Sequence, residues 1–149
     1  PVGLVSRSGT FSYQVATALS QAGIGQTTCA GIGGDPITGI SFVDILSRFE
    51  ADPDTEGIVL VGEIGRTSEE EAAEYIGRAV TKPVAAIILG ETAPPGKQLG
   101  HAGAIITAGR GTYESKHNAF KSVGVPVAHT AKEVAVLMAD LLSKSKIKQ

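Results

Sequence analysis

The chain has 149 residues, the length of one domain, and 42% of them are hydrophobic, enough to build a real core at this size. A balance of 13 basic against 15 acidic side chains gives a formal net charge of −2, which argues against disorder and against a nucleic-acid footprint. The single cysteine, Cys29, excludes an internal disulfide framework and a multi-cysteine metal site, and no apolar run is long enough to span a bilayer.

The chain opens on Pro1 and goes straight into strand-like residues, with nothing resembling a signal peptide, so it reads as a piece cut from a longer chain or a processed product. Val2 to Val5 is a short apolar strand, followed by the polar turn Ser6-Arg7-Ser8-Gly9-Thr10. Phe11, Val15, Ala18, Leu19 and Ala22 recur at helical spacing until Gly23 and Gly25. Thr27 to Ile32 reads as a second strand, in which Cys29 is expected to be an inert, packed thiol. The glycine-rich loop Gly31-Ile32-Gly33-Gly34-Asp35-Pro36 follows, and Ser41 is placed to cap a helix whose inner face is Phe42, Ile45, Leu46 and Phe49.

Gly57 to Val61 is a continuous apolar strand ending in Gly62-Glu63-Ile64-Gly65-Arg66. Ser68 with Glu71, or Thr67 with Glu70, predicts a capping box for a helix with the stripe Ala72, Ala73, Ile76 and Val80. Three successive glutamates suit its N-terminus. Pro83 to Leu89 is a fourth strand, Gly90 to His101 a long polar loop, and Ala102 to Ile106 a candidate fifth strand. A helix is expected over Thr112 to Val123 with Ala119, Phe120 and Val123 inward, then a strand over Val125 to Ala128. Thr130 and Glu133 predict a capping box for a last helix carrying Val134, Leu137, Met138 and Leu141, before a basic, frayed tail from Lys144.

Apolar strands alternating with amphipathic helices specify α/β: a doubly wound parallel sheet in a flavodoxin-like three-layer sandwich, with no internal linker, and hence one domain over residues 1–149. Such sheets bind ligands beyond the carboxyl ends of their strands. The unusual loops all follow strands and are expected to gather at that edge.

Ser6-Arg7-Ser8-Gly9-Thr10 stands between a strand and a helix, where backbone N–H groups and the helix dipole favour an anion. Gly9 lets a phosphate approach and Ser8 and Thr10 offer hydroxyls; the same residues serve equally as a simple cap and turn. The usual nucleotide fingerprints are missing. Pro36 stands where the dinucleotide pattern needs glycine, and Gly96-Lys97 lacks the spacing and the following hydroxyl of a P-loop. His101, among small residues in Gly100-His101-Ala102-Gly103, is an accessible imidazole and a candidate nucleophile, or a plain surface histidine. Glu63, between two glycines after an apolar strand, is able to orient an imidazole, or to sit solvated in a turn. Asp35 has the same ambiguity, while His117 and His129 read as solvated or capping. Three scattered histidines and one cysteine form no convincing metal site.

Taken in order, Ser6-Arg7-Ser8-Gly9-Thr10, Gly31 to Pro36, Gly62-Glu63-Ile64-Gly65 and Gly100 to Ile106 resemble the alpha subunit of succinate–CoA ligase (succinyl-CoA synthetase). The likeness covers essentially the whole chain and corresponds to that subunit's C-terminal domain. It implies that His101 is transiently phosphorylated, that Glu63 contacts it, and that the helix after Ser6 to Thr10 points its N-terminus at the phosphoryl group. It implies partners outside this chain: an N-terminal CoA-binding domain of Rossmann type, and a beta subunit with an ATP-grasp nucleotide site. The substrates of the full complex are then CoA, succinate and ATP or GTP with Mg, with no role for nucleic acid or membrane. The long loop from Gly90 is expected to carry His101 between two sites. An intracellular setting is implied, either the mitochondrial matrix or a prokaryotic cytoplasm.

Arg66, where the family leads one to expect a small residue, and Gln98-Leu99, in place of a basic residue and Met, depart from the pattern. A relative acting on malate or citrate fits the same motifs. A receiver-like binding module fits poorly, because Ser6-Arg7-Ser8 stands where an acidic cluster belongs and Glu63 where an Asp belongs. A non-catalytic oligomerisation domain would leave His101 inert. The isolated chain is expected to fold but not to turn over.

Overall fold

The computed structural model describes residues 1–93 and 111–147. Among these, strands and helices alternate as β1 (Val2–Ser6), α1 (Gly9–Gln21), β2 (Gln26–Gly31), α2 (Phe42–Ala51), β3 (Gly57–Glu63), α3 (Ser68–Ala79), β4 (Val84–Leu89), α4 (Tyr113–Ser122), β5 (Val127–Ala128) and α5 (Ala131–Ile147). The strands form one five-stranded sheet in the order β2-β1-β3-β4-β5. Every pairing is parallel. This is the flavodoxin-type doubly wound order, and the expected fold class holds.

The central strands are apolar up to their carboxyl ends, where Ser6 and Glu63 stand, because both of their faces are covered. Ile58 and Leu60 of β3 pack with Phe42, Leu46, Ile76 and Phe120 from α2, α3 and α4. The alternate residues Val59 and Val61 pack with Val15, Leu19, Val134 and Met138 from α1 and α5. Each such fully buried side chain contributes about 1.5–3 kcal/mol relative to exposure. Gly3 is needed on β1 because a Cβ there would lie 2.6 Å from the Phe49 ring.

Ser8 caps α1, accepting the Phe11 N–H, and Ser41 with Asp44 forms a full capping box on α2. Four expectations change. The box on α3 does not form: Thr67 is the N-cap but makes no side-chain cap bond, and its hydroxyl donates to Glu71 Oε1 at 2.8 Å. Ahead of α5, Thr130 Oγ1 accepts from Glu133 N at 3.1 Å, but the Glu133 carboxylate reaches past Thr130 to the His129 N–H. Cys29 is exposed, not packed, because β2 is an edge strand that, among the described residues, pairs only with β1; partial burial still pushes its thiol pKa up. The last helix runs on to Ile147, through much of the expected frayed tail. The candidate strand Ala102 to Ile106 lies outside the described residues.

Candidate functional site at the carboxyl edge of the sheet

The sheet has its switch point between β1 and β3. The chain leaves β1 for β2 on one side, while β3 lies on the other. The loops that follow these two strands therefore diverge around a crevice. Arg7 N donates to Val61 O at 3.0 Å and Ile32 N to Ser6 O at 2.8 Å, so all three strand ends are tied together there.

The Ser6 to Thr10 turn divides into an inner and an outer part. Ser6 and Arg7 are buried, whereas Ser8 is half-buried and Gly9 and Thr10 are exposed. The Ser6 hydroxyl donates to Ser8 O at 2.8 Å and accepts the Ser8 N–H at 3.0 Å, which shapes the turn from within. α1 then starts at Gly9, where an added Cβ would meet nothing within 4 Å. The first N–H groups of a helix have no intrahelical acceptor, so Gly9 and Thr10 lie at an open, electropositive helix end.

Arg7 lies deeper than a surface anion donor would. Its Nη1 donates to Glu63 O at 3.1 Å, to Gly65 O at 3.0 Å and to Glu69 Oε1 at 2.8 Å, and its Nη2 lies 3.3 Å from Glu63 Oε1. Glu63 is the last residue of β3 and is buried, not a solvated turn residue. Its own N–H donates to Glu69 Oε1 at 3.0 Å.

Glu69 joins this cluster to a second one. Its carboxylate is fully buried, and Oε2 accepts from Lys116 Nζ at 2.5 Å. Lys116, also fully buried, donates to Glu70 Oε2 and to Arg66 O, both at 2.8 Å. Burial pushes the Glu70 carboxyl up, but hydrogen bonds from Lys116 and Ser115 and the Lys116 charge outweigh it and leave the pKa lowered. Sequence reasoning missed both Glu69 and Lys116, although the signal was present. Glu69 stands three, four and seven residues before Ala72, Ala73 and Ile76, and Lys116 four and seven before Phe120 and Val123, so each lies on an apolar stripe.

His101 lies outside the described residues, but both approaches to its segment are fixed beside Glu63. Ile64 N donates to Leu89 O at 3.0 Å, and Gly90 (φ +101°) packs so closely on Ile64 that a Cβ would come within 2.9 Å. On the return, Gly65 N donates to Gly111 O at 2.7 Å, and a Cβ on Gly111 (φ +75°) would strike Arg66 O at 2.7 Å.

Arg66 holds a left-handed backbone, φ 60°, and its Nη1 donates to the carbonyl of Asp35 at 3.0 Å. The Asp35 side chain is exposed, beside a cavity of about 50 Å³ lined in part by Arg7, Gly33, Ser41 and Glu71. His117 stacks on Tyr113 with ring centroids 5.8 Å apart. His129 Nδ1 lies 3.0 Å from Glu91 Oε2, whose hydrogen bond and charge raise the histidine pKa. Among the described residues no group of three or more His, Cys, Asp or Glu is placed to hold a metal ion, and no helix is long and apolar enough to cross a membrane.

Fold and edge together define an α/β domain that presents a helix N-terminus and a buried carboxylate at a topological switch point. Residues 5–125 match the family model described as CoA-ligase, and the chain belongs to that enzyme family. It is 58% identical over 126 residues to the alpha subunit of the ADP-forming succinate–CoA ligase of Methanothermobacter thermautotrophicus, covering 85% of this chain and 43% of that protein. It is 50% identical over 146 residues to the corresponding subunit of Staphylococcus aureus, covering 98% of this chain and 48% of that protein. A mitochondrial alpha-2 subunit of Trichomonas vaginalis is 56% identical over 130 residues. The chain thus spans about half the length of the curated relatives it matches. Among solved structures, ATP citrate lyase of Methanothrix soehngenii, in complex with citrate and coenzyme A, superposes with a TM-score of 0.85 at 29% identity. That match covers 97% of this chain and 25% of the other.

Proposed function

We propose that this chain is the C-terminal, phosphohistidine-bearing domain of a succinate–CoA ligase alpha subunit, a single domain over residues 1–149. In this reading His101 attacks the terminal phosphorus of a nucleoside triphosphate. A P–N bond forms and the P–O bond to the leaving diphosphate breaks; the P–N bond then breaks as the phosphoryl group passes to a carboxylate oxygen of succinate, and the CoA thiolate displaces inorganic phosphate to give succinyl-CoA. Ser8, Gly9 and Thr10 hold the anionic phosphoryl group at the N-terminus of α1, with Ser6 and Arg7 shaping the turn behind them. Glu63 orients the imidazole and supports the positive ring as the phosphoryl group is bound.

The observation that carries the reading is the double tether. Gly90 and Gly111, on either side of the segment that contains His101, rest on Ile64, Gly65 and Arg66, the residues next to Glu63. The segment between them therefore starts and ends at the edge where α1 opens.

The nucleotide, with Mg, and CoA belong in this reading to parts outside the chain: a beta subunit with an ATP-grasp site and an N-terminal CoA-binding domain. A mitochondrial matrix or prokaryotic cytoplasmic setting goes with it, as the bacterial, archaeal and mitochondrial relatives suggest.

The test uses the full-length alpha chain assembled with its beta partner. Labelled nucleoside triphosphate is added and acid-labile phosphate on His101 is sought by mass spectrometry, beside His101→Asn. Label on the wild type, lost in the variant and discharged by succinate plus CoA, is expected. Discharge only by citrate or malate would move the substrate assignment, and no label in the assembled complex would overturn the reading.

A further inference from the structure

The buried cluster behind the site contains more charge than the proposed chemistry uses. Two cations, Arg7 and Lys116, meet three carboxylates, Glu63, Glu69 and Glu70, and of these only Glu63 has a role at the reacting histidine. Burying ions is costly, and an apolar cluster would serve stability as well or better, so the arrangement calls for another purpose.

The connectivity supplies one. Among the described residues, Glu63 is held at its N–H by Glu69 Oε1 and at its C=O by Arg7 Nη1, while its carboxylate lies 3.3 Å from Arg7 Nη2 as an ion pair without a hydrogen bond. Arg7 Nη1 is in turn fixed by Glu69 Oε1, so one carboxylate touches both the Glu63 backbone and the guanidinium beside the Glu63 side chain. Glu69 is itself pinned by Lys116 from α4, and Gly62 keeps the space beside it open, since a Cβ there would lie 2.6 Å from Glu69 Cγ. The guanidinium is a rigid planar fork, able to span two carboxylates in a fixed geometry where an ammonium is not.

We propose that Glu69 is a positioning residue. By clamping the Arg7 fork and the Glu63 N–H together, it sets the orientation in which Glu63 is presented to the phosphorylated histidine. The inference rests on the reading of His101 and Glu63 given above. It assigns Arg7 to the support of Glu63, not to direct contact with the phosphoryl group.

The experiment uses the assembled alpha–beta complex. Timed acid quenching follows labelled phosphate arriving on His101 in the wild type, in Glu69→Gln and in Arg7→Lys, with KM for the nucleotide and the thermal midpoint measured alongside. Misplacement of a catalytic group by about 1 Å costs on the order of 100-fold, so a 10- to 100-fold fall in labelling rate is expected in both variants, with KM for the nucleotide unchanged. Arg7→Lys keeps the charge but not the fork, so its failure to restore the rate is the sign of orientation. Labelling at the wild-type rate in both variants, with only the midpoint lowered, would reduce Glu69 to a stability element and overturn the inference. Full activity of Arg7→Lys would do the same. If Glu69→Gln does not assemble, Arg7→Lys decides. A wild-type complex that takes no label overturns the underlying reading, an outcome distinct from variants that match a labelled wild type.

Discussion

Arg7 and Glu69 meet at 2.8 Å across 62 positions of sequence, with both side chains almost entirely out of solvent. One belongs to the turn after β1 and the other to the first turn of α3, so the contact links elements that follow β1 and β3. The N-terminus of α1 and the end of β3 are thereby joined by more than the strand ladder.

Lys116 is the second support of this joint. Replacing it with Met would leave the Glu69 and Glu70 carboxylates without the ammonium that both now touch. Removing one partner from a buried ionic cluster costs about 3–5 kcal/mol. Urea unfolding should show a loss of that size, with an unchanged slope.

Gly62 and Gly9 make a contrasting pair. At Gly62 an alanine Cβ would lie 2.6 Å from Glu69 Cγ and 2.9 Å from Glu69 Oε1, so Gly62→Ala should destabilise by about 1–3 kcal/mol, as overpacking does. Thermal denaturation checks this.

At Gly9 a Cβ meets open space on a helical residue. Gly9→Ala should leave stability unchanged or raise it by up to about 1 kcal/mol through the unfolded chain's lost freedom. If a phosphoryl group rests against that helix end, the same variant should slow His101 labelling. A stable variant with undiminished labelling would remove Gly9 from the site.

The exposed His129–Glu91 pair sets a pH dependence. Its folded pKa is raised above the ordinary 6.5, chiefly by the Glu91 hydrogen bond and charge. The stabilisation it gives is therefore fully present below pH 6.5 and fades as pH rises through the raised folded value. NMR titration should show the His129 ring titrating above 6.5, and Glu91→Gln should bring it back towards that value.

Much of this was legible in the residues. Continuous apolar runs between amphipathic stripes gave away a doubly wound sheet, and Ser8, Ser41 and Thr112 cap where hydroxyl residues precede apolar periodicity. Cys29 misled because its neighbours suit a strand equally well at the sheet's edge or its centre, and only topology decides which. The glutamates at the start of α3 misled in another way. A carboxylate in a first helical turn satisfies the dipole, and that local account concealed the long-range partners of Glu69. Arg7 shows the same limit: its neighbours in sequence are hydroxyls, whereas its neighbours in space include the carboxylates of Glu63 and Glu69.

The cluster of Arg7, Glu63, Glu69, Glu70 and Lys116 also bears on how this edge can change over time. Replacing Glu69, Arg7 or Lys116 alone breaks a buried ion pair, whereas a wholly apolar cluster of similar volume is often no less stable. Between the two lies a valley that one substitution at a time does not cross. Lineages that keep the reaction should therefore keep these side chains together. A descendant that has abandoned it should be recognisable by having lost several of them at once, even where the sheet and its helices are untouched.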